Sequence, residues 1–136
     1  MAIDVKTICL GVLSLGDASG YEIRKHFEEG PFSHFFDASY GSIYPALNTL
    51  HTNGLVDCLA VAQDKRPAKK VYSLTESGRA ALLDVLVQPP AADKIRSECL
   101  VILFFSQLIG ATRQRVIFDN YLLHLREADA RVANTD

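Results

Sequence analysis

The sequence carries almost no charge imbalance: 14 Lys and Arg stand against 16 Asp and Glu, a formal net charge of −2 at pH 7. A strongly basic balance, the easiest sign of a nucleic-acid partner, is missing, although binding depends on where positive groups lie rather than on their sum. Cysteine is sparse. Cys9, Cys58 and Cys99 are widely spaced, odd in number and set in apolar surroundings, so they read as buried small hydrophobes in a reducing cytoplasm. His26, His34, His51 and His124 are scattered, with no His-x3-His and no neighbouring Cys, so neither a metal nor a cofactor is expected. Gly-rich phosphate loops, nucleophile elbows and paired catalytic carboxylates are absent too, and no enzyme is expected. Long hydrophobic runs are lacking: the longest segment free of Asp, Glu, Lys, Arg and His, Cys99–Thr112, has 14 residues, against about 18–20 for a bilayer span. Ile8–Leu15 follows Asp4 and Lys6 and leads to no small-residue cleavage site, which makes it a first core helix rather than a signal peptide. A soluble cytoplasmic protein with no membrane contact is the expectation.

What is present is an ordinary globular composition, 49% apolar over 136 residues, enough to bury a real core. Val5, Ile8, Cys9, Val12 and Leu13 recur at helical spacing until Gly16-Asp17. Ser19 and Glu22 form a Ser-x-x-Glu capping box for a second helix carrying Ile23 and Phe27, which Gly30-Pro31 ends. The aromatic linker Phe32–Ala38 follows; Phe32, Phe35, Phe36 and Tyr40 read as a satellite hydrophobic cluster rather than a ligand cage. Ser39 is suited to cap a third helix in which Ile43, Tyr44, Leu47 and Leu50 follow the i, i+4, i+7 rule and Asn53-Gly54 supplies the stop. Pro45 conflicts with a start at Ser39, so an irregular or tightened first turn is expected.

Two β-segments come next, Leu55–Val61 and Lys70–Leu74, around a polar loop from Asp64 to Lys69. Thr75 caps a fourth helix, with Glu76 where the helix dipole favours an anion, and Pro89-Pro90 ends it. Beyond it, Ile95–Ile109 is predicted helical and is apolar nearly all round at its centre, so it must be covered on most sides. After Gly110, Phe118, Tyr121, Leu125, Ala128 and Val132 make about two heptads of coiled-coil-like seam.

Two surfaces suit DNA. On the third helix, Tyr40, Gly41, Ser42, Pro45, Asn48 and Thr49 are left mostly outward; Asn48 is suited to an adenine edge, and Thr49 to a phosphate or a thymine methyl. In the hairpin, Lys65, Arg66, Lys69 and Lys70 hold half of the positive charge of residues 1–88, where flanking phosphates or a minor groove would attract it. Each feature alone has a plainer explanation, since amphipathic helices mostly pack cores and cationic turns mostly protect β-edges. Their order is what makes the combination uncommon. Two alternatives remain: a winged helix used as a protein-interaction module, which the near-neutral charge favours, and a thiol-based redox-sensing regulator.

Ser19-Gly20-Tyr21-Glu22-Ile23, Tyr40 to Leu47, Asn53-Gly54-Leu55-Val56, and Lys70 to Arg79 together resemble the PadR family of winged helix-turn-helix transcriptional regulators, across roughly residues 5–85. Residues 93–126 resemble the start of the helical C-terminal domain in the virulence-activator branch. The resemblance implies a mainly α fold with a small two-stranded β-wing: a DNA-binding domain over 1–90, followed by C-terminal dimerisation helices over 91–136. It implies a homodimer on a double-stranded DNA operator, usually repressing until a small-molecule effector binds, though members of the virulence branch can activate. It places Tyr40, Ser42, Tyr44 and Asn48 in the recognition helix, where Thr49 joins them, although periodicity turns Tyr44 towards the core. The wing would hold Lys65, Arg66, Lys69 and Lys70, and dimerisation would use Ile95, Cys99, Ile102, Phe105, Phe118, Tyr121 and Leu125. The family's C-terminal domain is normally longer than the 46 residues after Pro90, so the last helix is expected to be cut short.

Overall fold

The computed structural model describes residues 3–34, 36 and 40–134, with only the backbone at His34 and Tyr40, and the chain divides into two units, Met1–Ala91 and Ala92–Asp136. In the first, α1 (Val5–Ser14) starts at Asp4, whose carboxylate accepts from the Thr7 amide at 2.9 Å and the Thr7 hydroxyl at 3.0 Å. A helix start leaves such amides without intrahelical partners, and a short acidic side chain supplies one. Ile8, Cys9, Val12 and Leu13 then bury one side of α1. Ser19 caps α2 (Gly20–Glu29) by accepting from the Glu22 amide at 3.2 Å, and Ile23 and Phe27 carry this helix into the core. A turn of 3-10 helix, Pro31–His34, occupies the linker; Phe32 and Phe36 pack against the core, while Phe35 lies outside the described residues.

The conflict at Pro45 is resolved by a later helix start. Ser39 lies outside the described residues, and the chain enters α3 (Ile43–Thr52) through a tightened 3-10 turn, Tyr40–Ser42. Pro45 is therefore the third residue of the α-helix, within the first turn, where a backbone N–H has no intrahelical partner to lose. Ile43, Leu47 and Leu50 are buried, and Gly54, at φ +74°, turns the chain out of the helix.

The sheet has three antiparallel strands in the order β1-β3-β2: β1 (Ala18–Ser19), β2 (Val56–Gln63) and β3 (Arg66–Leu74). Two residues are too few to show alternation, so β1 adds a strand that no sequence pattern announces. β3 begins at Arg66 rather than Lys70, which shrinks the expected Asp64–Lys69 loop to a turn at Asp64-Lys65. Pro67 fits because the register slips between Val61 and Gln63, leaving it outside the paired positions, where it has no ladder bond to donate.

α4 (Glu76–Leu86) is tied to the end of α3. The Thr75 hydroxyl accepts from the Gly78 amide at 2.9 Å and donates to the Gly54 carbonyl at 2.8 Å. Gly78 approaches so closely that a Cβ there would collide with the Leu55 carbonyl oxygen.

In the second unit, α5 (Glu98–Phe104) and a 3-10 turn at Ser106–Leu108 replace the expected Ile95–Ile109 helix, while α6 (Ala111–Ala133) is the helix expected after Gly110. The shortening has a local cause: the Ser97 hydroxyl accepts from the Leu100 amide at 3.2 Å, so the helix starts there and Ile95 precedes it. Gln114 Nε2 donates to the carbonyls of Ser106 at 2.6 Å and Ile109 at 3.0 Å, closing the turn onto α6. Neither α5 nor α6 contains a buried residue. No helix among the described residues is long and apolar enough to cross a membrane.

Replacing a helical Gly by Ala usually stabilises by about 1 kcal/mol. Because of the Leu55 carbonyl, Gly78→Ala is expected to do the opposite and destabilise the fold by about 1–3 kcal/mol in urea unfolding.

Candidate nucleic-acid interface

Burial of Ile43, Ala46, Leu47 and Leu50 decides which residues α3 can offer outward: Tyr44, Pro45, Asn48 and Thr49 are exposed. Tyr44 corrects the periodicity. It is 46% exposed, and its ring lies over the start of α2, where Gly20 has no side chain; a Cβ there would stand 2.6 Å from Tyr44 Cε1. The i+1 position joined the apolar pattern only because tyrosine is aromatic. Ser42 is half-buried at the N-cap of α3 and makes no capping bond with its side chain. The Thr49 hydroxyl already donates to the Pro45 carbonyl at 3.0 Å, so donating to a phosphate would break that bond. The side chain of Tyr40 lies outside the described residues.

The wing presents its cations from a short turn and from β3. Lys65 sits at the turn with φ +60°, a left-handed angle that costs a non-glycine residue about 1–2 kcal/mol. Arg66 and Lys70 are exposed along β3. Among the described residues, Lys65, Arg66 and Lys70 form no ion pair. Lys69 differs: its Nζ donates to Glu22 Oε1 at 2.8 Å, so a wing cation is bonded to the first turn of α2. That bond, together with the Ser19 cap, holds the Glu22 carboxyl below the usual glutamate value.

A groove of about 600 Å³ runs between these elements, lined by Tyr21, Glu22, Tyr44, Asn48, Arg66, Lys69, Lys70 and Tyr72 among others. The structure thus brings Tyr44 and Asn48 together with Arg66, Lys69 and Lys70, whereas Ser42, Thr49 and Lys65 do not line the groove. Tyr21, Glu22, Gln63 and Tyr72 are among the members that sequence reasoning missed. Glu22 was legible only as a capping residue, because its bond to Lys69 spans 47 positions and no local period reaches that far. Burial pushes the Tyr72 hydroxyl up, helped by its cross-strand neighbour Cys58 and then by Tyr44.

The predicted dimerisation residues occupy the second unit. Ile95 is exposed ahead of α5; Ile102 and Phe105 are exposed and Cys99 half-buried. On α6, Phe118, Tyr121 and Ala128 are half-buried while Leu125 and Val132 are exposed. No group of three or more His, Cys, Asp or Glu able to hold a metal ion occurs among the described residues.

Comparison with known proteins agrees with this geometry. The transcriptional regulator PadR-like family model matches residues 9–84. The negative transcriptional regulator PadR of Bacillus subtilis is 29% identical over 119 residues, a match covering 87% of this chain and 65% of that protein. The present chain therefore spans just under two thirds of that relative's length. The crystal structure of Bacillus subtilis PadR in complex with operator DNA superposes with a TM-score of 0.81 at 30% identity, covering 92% of this chain and 70% of that one. The same protein in complex with p-coumaric acid gives 0.71 at 29% identity, with 92% and 69% covered. The Vibrio cholerae virulence activator AphA gives 0.61 at 30% identity, with 94% and 70% covered.

The cysteines occupy unlike environments. Cys9 is fully buried in the core, and burial, followed by the nearby Asp4 charge, pushes its thiol from an ordinary 9.0 up to about 12. A thiolate is the reactive species, so Cys9 is poorly placed as a sensor. At pH 8 a thiol reagent should label Cys58 and Cys99 on the native protein and reach Cys9 only on unfolding; equal rates at all three would contradict its burial. The unfolded chain can ionise Cys9 once pH passes 9.0 while the folded chain resists until about 12, so this group removes stability progressively across that window.

Proposed function

The chain belongs to the PadR-like family of transcriptional regulators, and we propose that it is itself a DNA-binding regulator, a homodimer that represses in the cytoplasm until a small ligand releases it. The observation that carries this reading is the groove, in which the outward side of α3 and the cations of β3 face one opening. A helix presenting Tyr44 and Asn48 fits a major groove, where a carboxamide pairs bidentately with adenine. Arg66 and Lys70 beside it then meet phosphates, whose contacts set register and orientation without reading sequence. Ser42 and Thr49 would border the recognition surface, and Lys65 at the wing tip would reach a flanking phosphate or minor groove. The Bacillus subtilis relative, itself named a negative regulator, has been crystallised with operator DNA and with p-coumaric acid. That acid is accordingly the first effector to test here.

The second unit supports pairing of two chains. Leu100, Val101, Ile102, Leu103, Phe104 and Phe105 cover every side of α5, none of them buried, and Phe104 is 83% exposed. A continuous apolar surface of that kind marks an interaction site. Ile95, Cys99, Ile102 and Phe105, with the seam Phe118, Tyr121 and Leu125, would form the dimer interface. A dimer puts two recognition helices on half-sites about one helical turn, ~10 bp, apart or a multiple of that.

The decisive experiment is a gel shift on DNA upstream of the gene, with and without candidate effectors. Arg66→Ala should weaken binding to every sequence and lower the log–log salt slope by about one. Asn48→Ala should relax base preference by about 1–3 kcal/mol at one position while leaving the slope unchanged. Sedimentation at micromolar concentration should return the dimer mass, and a monomer there would remove the pairing.

A further inference from the structure

Among the described residues, Glu22 is the one carboxylate lining the groove, and it stands beside Arg66, Lys69 and Lys70, the cations that would meet phosphate. Its bond to Lys69 is open to solvent, with the two side chains 37% (Lys69) and 48% (Glu22) exposed. Exposed ion pairs contribute only about 0–1 kcal/mol to stability. The capping task does not require the charge either, since glutamine serves at the same position of a capping box. The charge therefore has a consequence for binding out of proportion to its value for folding.

Sequence-independent affinity for DNA comes from neutralising phosphates, each contact releasing condensed counterions. Arg66, Lys69 and Lys70 line the groove, but Lys69 already has a carboxylate at 2.8 Å, and a phosphate must displace that partner to use it. We propose that Glu22 is a built-in brake on sequence-independent DNA binding: it withholds Lys69 from the phosphate backbone. Lys69 is then a reserve cation rather than a wing clamp equal to Arg66. The inference rests on the DNA-binding reading given above.

The test uses the full chain and a random-sequence duplex, with affinity measured by fluorescence anisotropy across a salt series, for wild type, Glu22→Gln, and Glu22→Gln combined with Lys69→Ala. Glu22→Gln should tighten binding about three- to fivefold near physiological salt and steepen the salt slope by about one, the effect of one added phosphate contact. In the double variant the slope should return to the wild-type value, because the gain passes through Lys69. A purely structural role for Glu22 would move neither slope. An unchanged slope in Glu22→Gln, weaker binding, or a gain that survives Lys69→Ala overturns the brake while leaving DNA binding intact. Absence of wild-type binding to this duplex and to the upstream DNA alike, even at low salt, overturns both.

Discussion

Three side chains on one side of a ten-residue helix govern how the rest of the first unit is arranged. Ile43, Leu47 and Leu50 of α3 lie in one apolar cluster with Cys9, Val12 and Leu13 of α1 and with Ile23 of α2. Losing one buried leucine in such a core costs about 2–5 kcal/mol, a large part of the 5–15 kcal/mol that holds a domain together. That burial fixes the rotation of α3 about its axis, and the rotation fixes which residues face outward. Asn48 and Tyr44 line the groove because their neighbours at the intervening positions cannot leave the core.

Around this anchor the neighbouring elements are joined by close approaches that only small residues allow. Gly78 lets α4 come against the Leu55 carbonyl, and Thr75 ties that junction to Gly54 at the end of α3. The base of the wing therefore moves with the helix beside it. Gly20 plays the corresponding part at the other side, leaving room for the Tyr44 ring over α2. The wing itself is held differently, by the β2–β3 ladder and by a solvent-exposed bond from Lys69 to Glu22.

Several elements could be placed from the residues alone because their causes are local. Ser19 and Thr75 each cap a helix through a bond reaching three positions along the chain. Pro45 announced a distorted entry to α3, and the 3-10 turn at Tyr40–Ser42 is that distortion. Other placements failed for physical reasons. Tyr44 looked apolar by spacing, yet what it rests on is a glycine in another helix. The polar run from Asp64 to Lys69 looked like loop, but pairing with β2 extends the strand through it and a register slip absorbs Pro67. Ile95 looked helical until the Ser97 cap set the start three residues later.

Sequence by itself therefore determined the order of helices and hairpin, the caps at Ser19 and Thr75, the concentration of positive charge in the wing and the apolar excess beyond Pro90. All of these depend on interactions within a few residues or on composition. Tertiary structure alone decided which wing cation is already bonded, which tyrosines line the groove, and that a capping glutamate stands among the groups suited to phosphate. Those facts join residues such as 22 and 69, 20 and 44, or 55 and 78, whose meeting depends on how the helices pack. A periodic pattern carries no information about a contact made across a fold, because the distance along the chain that separates the partners is set by the topology and not by any helix or strand repeat.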